Sequence, residues 1–207
     1  MTAVRKPRGP YANAPIQREK ILRGALEFFG QKGYWGSSMR DIADHVGMSQ
    51  ASMRHYFGTK IELLTAVLEE RDLASSEVAG RAELESGSHM GGIIQIVIDN
   101  AQQPNIVRLF TILSAEATSE DHPAHEFFRA RYERVADNVS QMLQGAIDDG
   151  EIRSDINVSD AARLVLATMA GLQLQWLLDP KLDMAGLFRH QLEHYFAKPA
   201  KKPPRGR

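Results

Sequence analysis

Between Ser38 and Phe57 the chain spells two short helices with a tight turn between them, and this pattern restricts the fold more than any other feature. Ser38-Met-Arg-Asp41 is a capping box, in which the serine hydroxyl accepts an amide hydrogen bond at the start of a helix. Ile42, Ala43 and Val46 fall on one side of that helix, and Gly47 stops it because glycine tolerates positive φ. Two residues on, Ser49 caps a second helix with Met53 and Phe57 on its inner side. A pair this short cannot be stable alone. Ile21, Leu22, Ala25, Leu26, Phe28 and Phe29, spaced by threes and fours, supply a preceding helix as the third wall, and Gly33 is its stop.

The remainder keeps the helical period. Thr59-Lys-Ile-Glu62 repeats the capping signature ahead of a long helix reaching about Leu84. Glu85 to Gly92 reads as a loop by composition. Further helices are expected over Ile93–Gln102, Pro104–Ala117, Pro123–Asp149, Val158–Leu178 and Met184–Ala197. Asn157-x-x-Asp160 caps the fourth of these, Asp179-Pro180 ends it, and Asp183 caps the fifth. The expected fold is all-α: a three-helix head with a helix-turn-helix over residues 16–60, then a larger helical domain over 61–197. Residues 1–15 read as a flexible basic arm carrying Arg5, Lys6 and Arg8, and 198–207 as a disordered basic tail.

The 207 residues carry a formal net charge of −1, but the charges are sorted along the chain. Met1 to Lys60 is +6, Ile61 to Ala197 is −12, and Lys198 to Arg207 is +5. A basic piece suits a polyanion, and a strongly acidic one avoids it, so the two halves have different work. With no cysteine, a disulfide framework, a thiolate metal site and a cysteine nucleophile are excluded. No apolar run approaches the ~18 residues of a membrane helix, the densest being Leu164 to Leu172, interrupted by Thr168, and no apolar segment follows the basic amino-terminal residues as in a secretory signal. Cytoplasm is the expected location, without a membrane partner.

The stretch Gly33-Tyr-Trp-Gly-Ser-Ser-Met-Arg-Asp-Ile-Ala-Asp-His-Val-Gly-Met-Ser-Gln-Ala-Ser-Met-Arg-His-Tyr-Phe-Gly-Thr-Lys60 resembles the DNA-binding domain of the TetR family of transcriptional regulators. Ser37 and Ser38 stand for that family's threonine pair before the second helix. Ile42, Ala43, Gly47, Met48 and Ser49 match its turn signature, and Tyr56, Phe57 and Lys60 its closing element. Ala51, where glycine or proline is common, and Arg54, in place of the usual tyrosine, depart from the pattern. The resemblance implies that Arg40 and Gln50 read base edges, as their chemistry allows: arginine grips guanine O6/N7 and glutamine pairs with adenine N6/N7. Ser38, Ser52, Tyr56 and Lys60 match phosphate-contacting positions, which set register without reading sequence. Arg54 can do either, and Ser37, Ala51 and His55 complete the DNA-facing set. The competing reading of Arg40 is an ordinary i,i+4 pair with Asp44.

For the acidic domain the resemblance implies a homodimer on a near-palindromic operator. Leu164, Val165, Leu172, Trp176 and Leu177, then Leu187, Phe188, Leu192, Tyr195 and Phe196, give two apolar helix faces that suit a four-helix bundle between subunits. It also implies a small-molecule effector, with Phe110, Leu113, Phe127, Phe128, Met142, Met169 and Trp176 as lining and Glu116 and Gln173 as polar anchors. Plain core is the competing reading for each of these. The resulting function is a DNA-binding repressor released by its effector, the alternatives being a regulator without ligand, an activator, or a small all-α metal-dependent enzyme. For catalysis the sequence offers nothing: Gly-x-Ser-x-Gly, a P-loop and a dinucleotide fingerprint are missing, and no cofactor or catalytic residue is expected. His190 and His194 lie i, i+4 but lack a third ligand, His122 and His125 suit helix capping, and no metal site is expected.

Overall fold

The structure, a computed structural model, describes residues 14–196, apart from the side chains of residues 194 and 195. The basic arm with Arg5, Lys6 and Arg8, the tail from 198 on, and the side chains of His194 and Tyr195 lie outside the described residues. Among the described residues every regular element is a helix: α1 (Ala14–Lys32), α2 (Met39–Val46), α3 (Gln50–Tyr56), α4 (Lys60–Ser86), α5 (His89–Asn100), α6 (Pro104–Glu116), α7 (His125–Asp148), α8 (Val158–Leu178) and α9 (Met184–Phe196).

The local signals act as elementary chemistry requires. The Asp41 N–H donates to Ser38 Oγ (3.1 Å), Ser52 N–H to Ser49 Oγ (3.1 Å), Glu62 N–H to Thr59 Oγ1 (3.2 Å) and Asp160 N–H to Asn157 Oδ1 (3.2 Å), each satisfying a first-turn amide. Gly47 ends α2 at φ 72°, its N–H donating to the Asp44 carbonyl while Met48 N–H reaches back to Ala43.

One expectation needs correction. The loop read over Glu85–Gly92 shrinks to the short link around Gly87 and Ser88, because α5 begins at His89. Ser88 caps it, accepting from the Gly91 N–H (3.0 Å), and Glu151 accepts the His89 N–H (3.0 Å). The two glycines are tolerated inside the helix because it lies close to its neighbours: a Cβ on Gly92 would stand 2.8 Å from Met142 Cε and 3.0 Å from the Ala79 carbonyl oxygen.

The chain divides into two compact units. Of the described residues, one takes in 14–71 together with Arg108–His125, and the other takes in Asp72–Val107 and 126–196. In the first, Ile21, Leu22, Ala25 and Phe29 of α1, Ile42, Ala43 and Val46 of α2, Met53 and Phe57, and Leu63, Leu64, Val67 and Leu68 of α4 are all buried. Leu26 and Phe28, expected in that wall, are only half-buried. The second unit is built on a single cluster running from Ile93 and Val97 through Val139, Leu143 and Val165 to Phe188, Leu192 and Phe196. Asp72 joins α4 to α7 there, accepting from Arg131 Nε at 2.8 Å and Arg134 at 2.8 Å.

Helix α8 departs from the sequence expectation in a second way. Against the expectation that no apolar run approaches the length of a membrane helix, it is by length and composition apolar enough to cross a membrane, and only 17% of its apolar window is buried. Leu164 and Leu187, both in the predicted faces, are exposed, and so are Leu174 and Leu178, which the predicted faces do not include, the last to 80%. Val165, Phe188, Leu192 and Phe196 of the same two predicted faces serve the unit's own core instead.

Candidate nucleic-acid interface

Helix α3 turns a polar face to solvent. It has seven residues, of which Met53 is wholly buried, while Gln50, Ala51, Ser52, Arg54 and His55 are exposed and Tyr56 is half-buried with its ring 5.9 Å from that of His55. The helix holds no acidic residue. Its open N-terminal end is fixed by the α2–α3 turn, which Gly47 makes, and by Met53 and Phe57 docking inward. Arg40, in the first turn of α2, extends into solvent; its pair with Asp44 stretches to 4.0 Å between side chains that are 79% and 71% exposed, too loose to hold it. Ser38 is occupied twice as a cap, accepting from Asp41 N–H and donating to Asp41 Oδ2 at 2.6 Å, yet it stays exposed.

Ser37 and Lys60 face elsewhere than expected. Ser37 is buried, and its hydroxyl donates to the Gly33 carbonyl at 2.5 Å, closing the α1–α2 turn. The Lys60 ammonium donates to the Tyr34 carbonyl at 2.8 Å and the Ser37 carbonyl at 2.7 Å, and lies 3.9 Å from the centroid of the Tyr34 ring. A position matched to phosphate binding thus holds the turn that leads into α2. Burial pushes this ammonium below its ordinary pKa, and the Glu116 carboxylate partly opposes the shift.

Glu116 is the residue that sequence reasoning misplaced. Expected as the polar anchor of an effector cavity, it turns to the head and accepts the Tyr34 N–H at 2.8 Å. Gly33 makes this possible twice over, since its φ is +68° and any Cβ there would collide with the Glu116 carboxylate. Beneath the same turn His122 is buried, its ring 5.1 Å from that of Tyr34 and 5.4 Å from that of Trp35. Its Nδ1 accepts the Ala124 N–H at 3.1 Å, so the proton sits on Nε2, which lies 3.7 Å from Glu116 and has no hydrogen-bond partner among the described residues. No sequence signal links Glu116 to Tyr34 across 82 residues.

The other expected effector contacts divide between the units. Phe110 and the fully buried Leu113 fall with Glu116 in the first unit, whereas Phe127, Met142, Met169, Gln173 and Trp176 fall in the second. Within the second, Met142, Met169 and Trp176 flank the same apolar cluster. Phe128 is buried, with its ring 5.7 Å from that of Phe127.

A capped helix, a glycine turn and a second short helix with a bare polar face, carried on an all-helical chain, define a DNA-binding transcriptional regulator of the helix-turn-helix type. Residues 21–67 match the family described as bacterial regulatory proteins, tetR family, and residues 92–198 match the BetI-type transcriptional repressor C-terminal family. The chain belongs to the TetR family of bacterial regulatory proteins. It is 29% identical over 180 residues to the HTH-type transcriptional regulator BetI 2 of Chromohalobacter salexigens, covering 83% of each chain. The fold is shared with a transcriptional regulator from Saccharomonospora viridis solved in complex with choline (TM-score 0.71, 18% identity, 88% of this chain and 98% of that one). It is shared equally with the regulator FadR from Bacillus subtilis, solved with stearoyl-CoA (TM-score 0.71, 19% identity, 86% and 97%).

Proposed function

We propose that this regulator is a homodimeric repressor in the cytoplasm, seated on a near-palindromic operator and released from it by a small, largely apolar effector. One observation carries the reading: the α3 face of Gln50, Ala51, Arg54 and His55 is exposed while Met53, between them in sequence, is wholly buried. Such a helix is anchored on one side and free to enter a major groove on the other. Gln50 and Arg40 read base edges, Ser38, Ser52 and Tyr56 meet phosphates, and Arg54 and His55 extend the contact. Ser37 and Lys60 contribute by holding the turn before α2.

The exposed Leu164, Leu174, Leu178 and Leu187 support the dimer, since apolar patches of this kind on α8 and α9 suit the same surface of a second copy. A two-fold pair presents its recognition helices about 34–36 Å apart, which demands an inverted repeat in the DNA. Helices α4 and α6 each begin in one unit and end in the other, so an effector held in the larger unit biases the heads through continuous helices. Regulators of this fold have been solved with choline and with stearoyl-CoA, which supports a small-molecule effector here. Selecting bound duplexes from a random pool tests the core of the reading. An inverted repeat spaced by about one helical turn is the expected result; no enrichment at moderate salt overturns it.

A further inference from the structure

Away from the head, the second unit gathers one histidine and three carboxylates that DNA reading does not use. His89 opens α5, Glu83 stands one turn before the end of α4, and Asp149 and Glu151 flank Gly150 just after α7. The imidazole lies over Gly145, where a Cβ would stand 2.6 Å from its Cε1 and Nε2, so only a glycine leaves the ring this place. The ligand atoms of His89, Asp149 and Glu151 all lie within 4.8 Å of one another.

The two ring nitrogens are used differently. Nδ1 lies 2.5 Å from Glu83 Oε1, an ion-pair contact that sets the ring against that carboxylate. Nε2 lies 3.3 Å from Asp149 Oδ2, longer than the ~2.7–2.9 Å of a charge-assisted hydrogen bond. About 3.3 Å is instead the separation of two ligands on a tetrahedral ion with bonds of ~2.0–2.1 Å. With Nδ1 set against a carboxylate, Nε2 is the ring nitrogen left to ligate, the arrangement that metal-ligating histidines use. Here Nε2 faces Asp149 and a ligand atom of Glu151 lies within 4.8 Å of the imidazole, an arrangement that a cation between them makes favourable. Glu151 is itself oriented, accepting from the Ser88 hydroxyl at 2.6 Å and the His89 N–H at 3.0 Å. Asp149 is 67% exposed and leaves an entry path.

We propose that His89 Nε2, Asp149 and Glu151 bind a divalent transition-metal ion of the zinc kind, with Glu83 orienting the ring. One imidazole with two carboxylates suits a borderline ion that accepts nitrogen; magnesium prefers oxygen alone and keeps its waters. The inference stands apart from the reading of DNA, and its test needs no operator. Full-length, tag-free protein stripped by a chelator is titrated calorimetrically with zinc chloride at neutral pH, with magnesium chloride in parallel, and its melting temperature is followed in each. One zinc per chain and a raised melting temperature are expected, with no response to magnesium. Asp149→Asn, at an exposed position, and His89→Gln each remove the response, and Glu83→Gln weakens affinity roughly 10–100-fold. His190→Gln leaves it intact. Absence of zinc binding, equal binding of magnesium, unchanged uptake in both Asp149→Asn and His89→Gln, or loss in His190→Gln overturns the proposal.

Discussion

Replacing Lys60 by alanine separates two roles that a sequence match cannot. A phosphate contact, once removed, leaves the head as stable as before and lowers the salt dependence of DNA binding by about one ion. The observed geometry points to a different result. Lys60 donates to the carbonyls of Tyr34 and Ser37, both buried residues, and sits over the Tyr34 ring. Hydrogen bonds from a charged donor are worth ~1.5–3 kcal/mol each, and the half-buried site lets water take over part of that, so the pair counts for about 2 kcal/mol. The cation–π contact adds ~0.5–1 kcal/mol, giving about 3 kcal/mol in all. With a urea dependence of about 2 kcal/mol per molar, the midpoint of head unfolding falls by about 1.5 M. The chain has two tryptophans, so a Trp176→Phe background makes Trp35, in contact with Tyr34 and His122, the sole fluorescent reporter of the head. Salt titrations of DNA binding are run on the same variant without denaturant. An unchanged midpoint with a salt slope smaller by one refutes the structural role.

Three further outcomes follow from the same geometry. Arg40→Ala costs about 1–3 kcal/mol of operator affinity and relaxes preference at one base position, read by repeating the duplex selection with the variant; uniform weakening across all sequences assigns Arg40 to the backbone instead. Leu174→Glu combined with Leu178→Glu places two charges on the exposed α8 face and turns the proposed dimer into a monomer in sedimentation velocity; a variant that sediments as a dimer moves the interface elsewhere. For His122, burial lowers the imidazole pKa first, Glu116 raises it in part and Lys60 lowers it again, so the folded state takes up the proton later than the unfolded chain. The stability this group contributes is therefore complete above about pH 6.5 and drains away below it, until the folded imidazole itself protonates. His122→Asn keeps an acceptor for the Ala124 N–H and has nothing to titrate, so the Trp35-reported midpoint changes less between about pH 7 and 5 than in the parent; an equal change removes His122 from the acid response.

The parts legible in the sequence are those decided within one turn of helix. Ser38, Ser49, Thr59 and Asn157 announce their helices because each hydroxyl or amide satisfies an N–H three residues on. Gly47 announces the α2–α3 turn because the backbone there takes a positive φ. Once those ends are set, the period of three and four residues leaves Ile42, Val46 and Met53 no choice of side, and the bare face of α3 follows. What the sequence hides are contacts made across tens of residues. The start of α5 at His89 depends on Glu151, 62 positions later, whose carboxylate supplies the second acceptor for the first-turn amides. Without it, Gly-Ser-His-Met-Gly-Gly is a fair description of a loop.

Lys60 and Glu116 show why the same limit applies to site residues. Both are long, charged and placed at helix ends, and sequence assigns such residues to whatever ligand the domain is expected to bind. In the fold each instead meets the backbone of the α1–α2 turn, Lys60 at the carbonyls of Tyr34 and Ser37 and Glu116 at the N–H of Tyr34. That turn has too few helical partners of its own for its polar groups, so the nearest opposite charges are drawn to them. A cation and an anion are thereby committed around Tyr34, on the approach to Arg40 and the recognition helix. Substitutions at Lys60 or Glu116 consequently alter how firmly α2 is presented rather than what it reads, and weaken good and poor operators by the same factor.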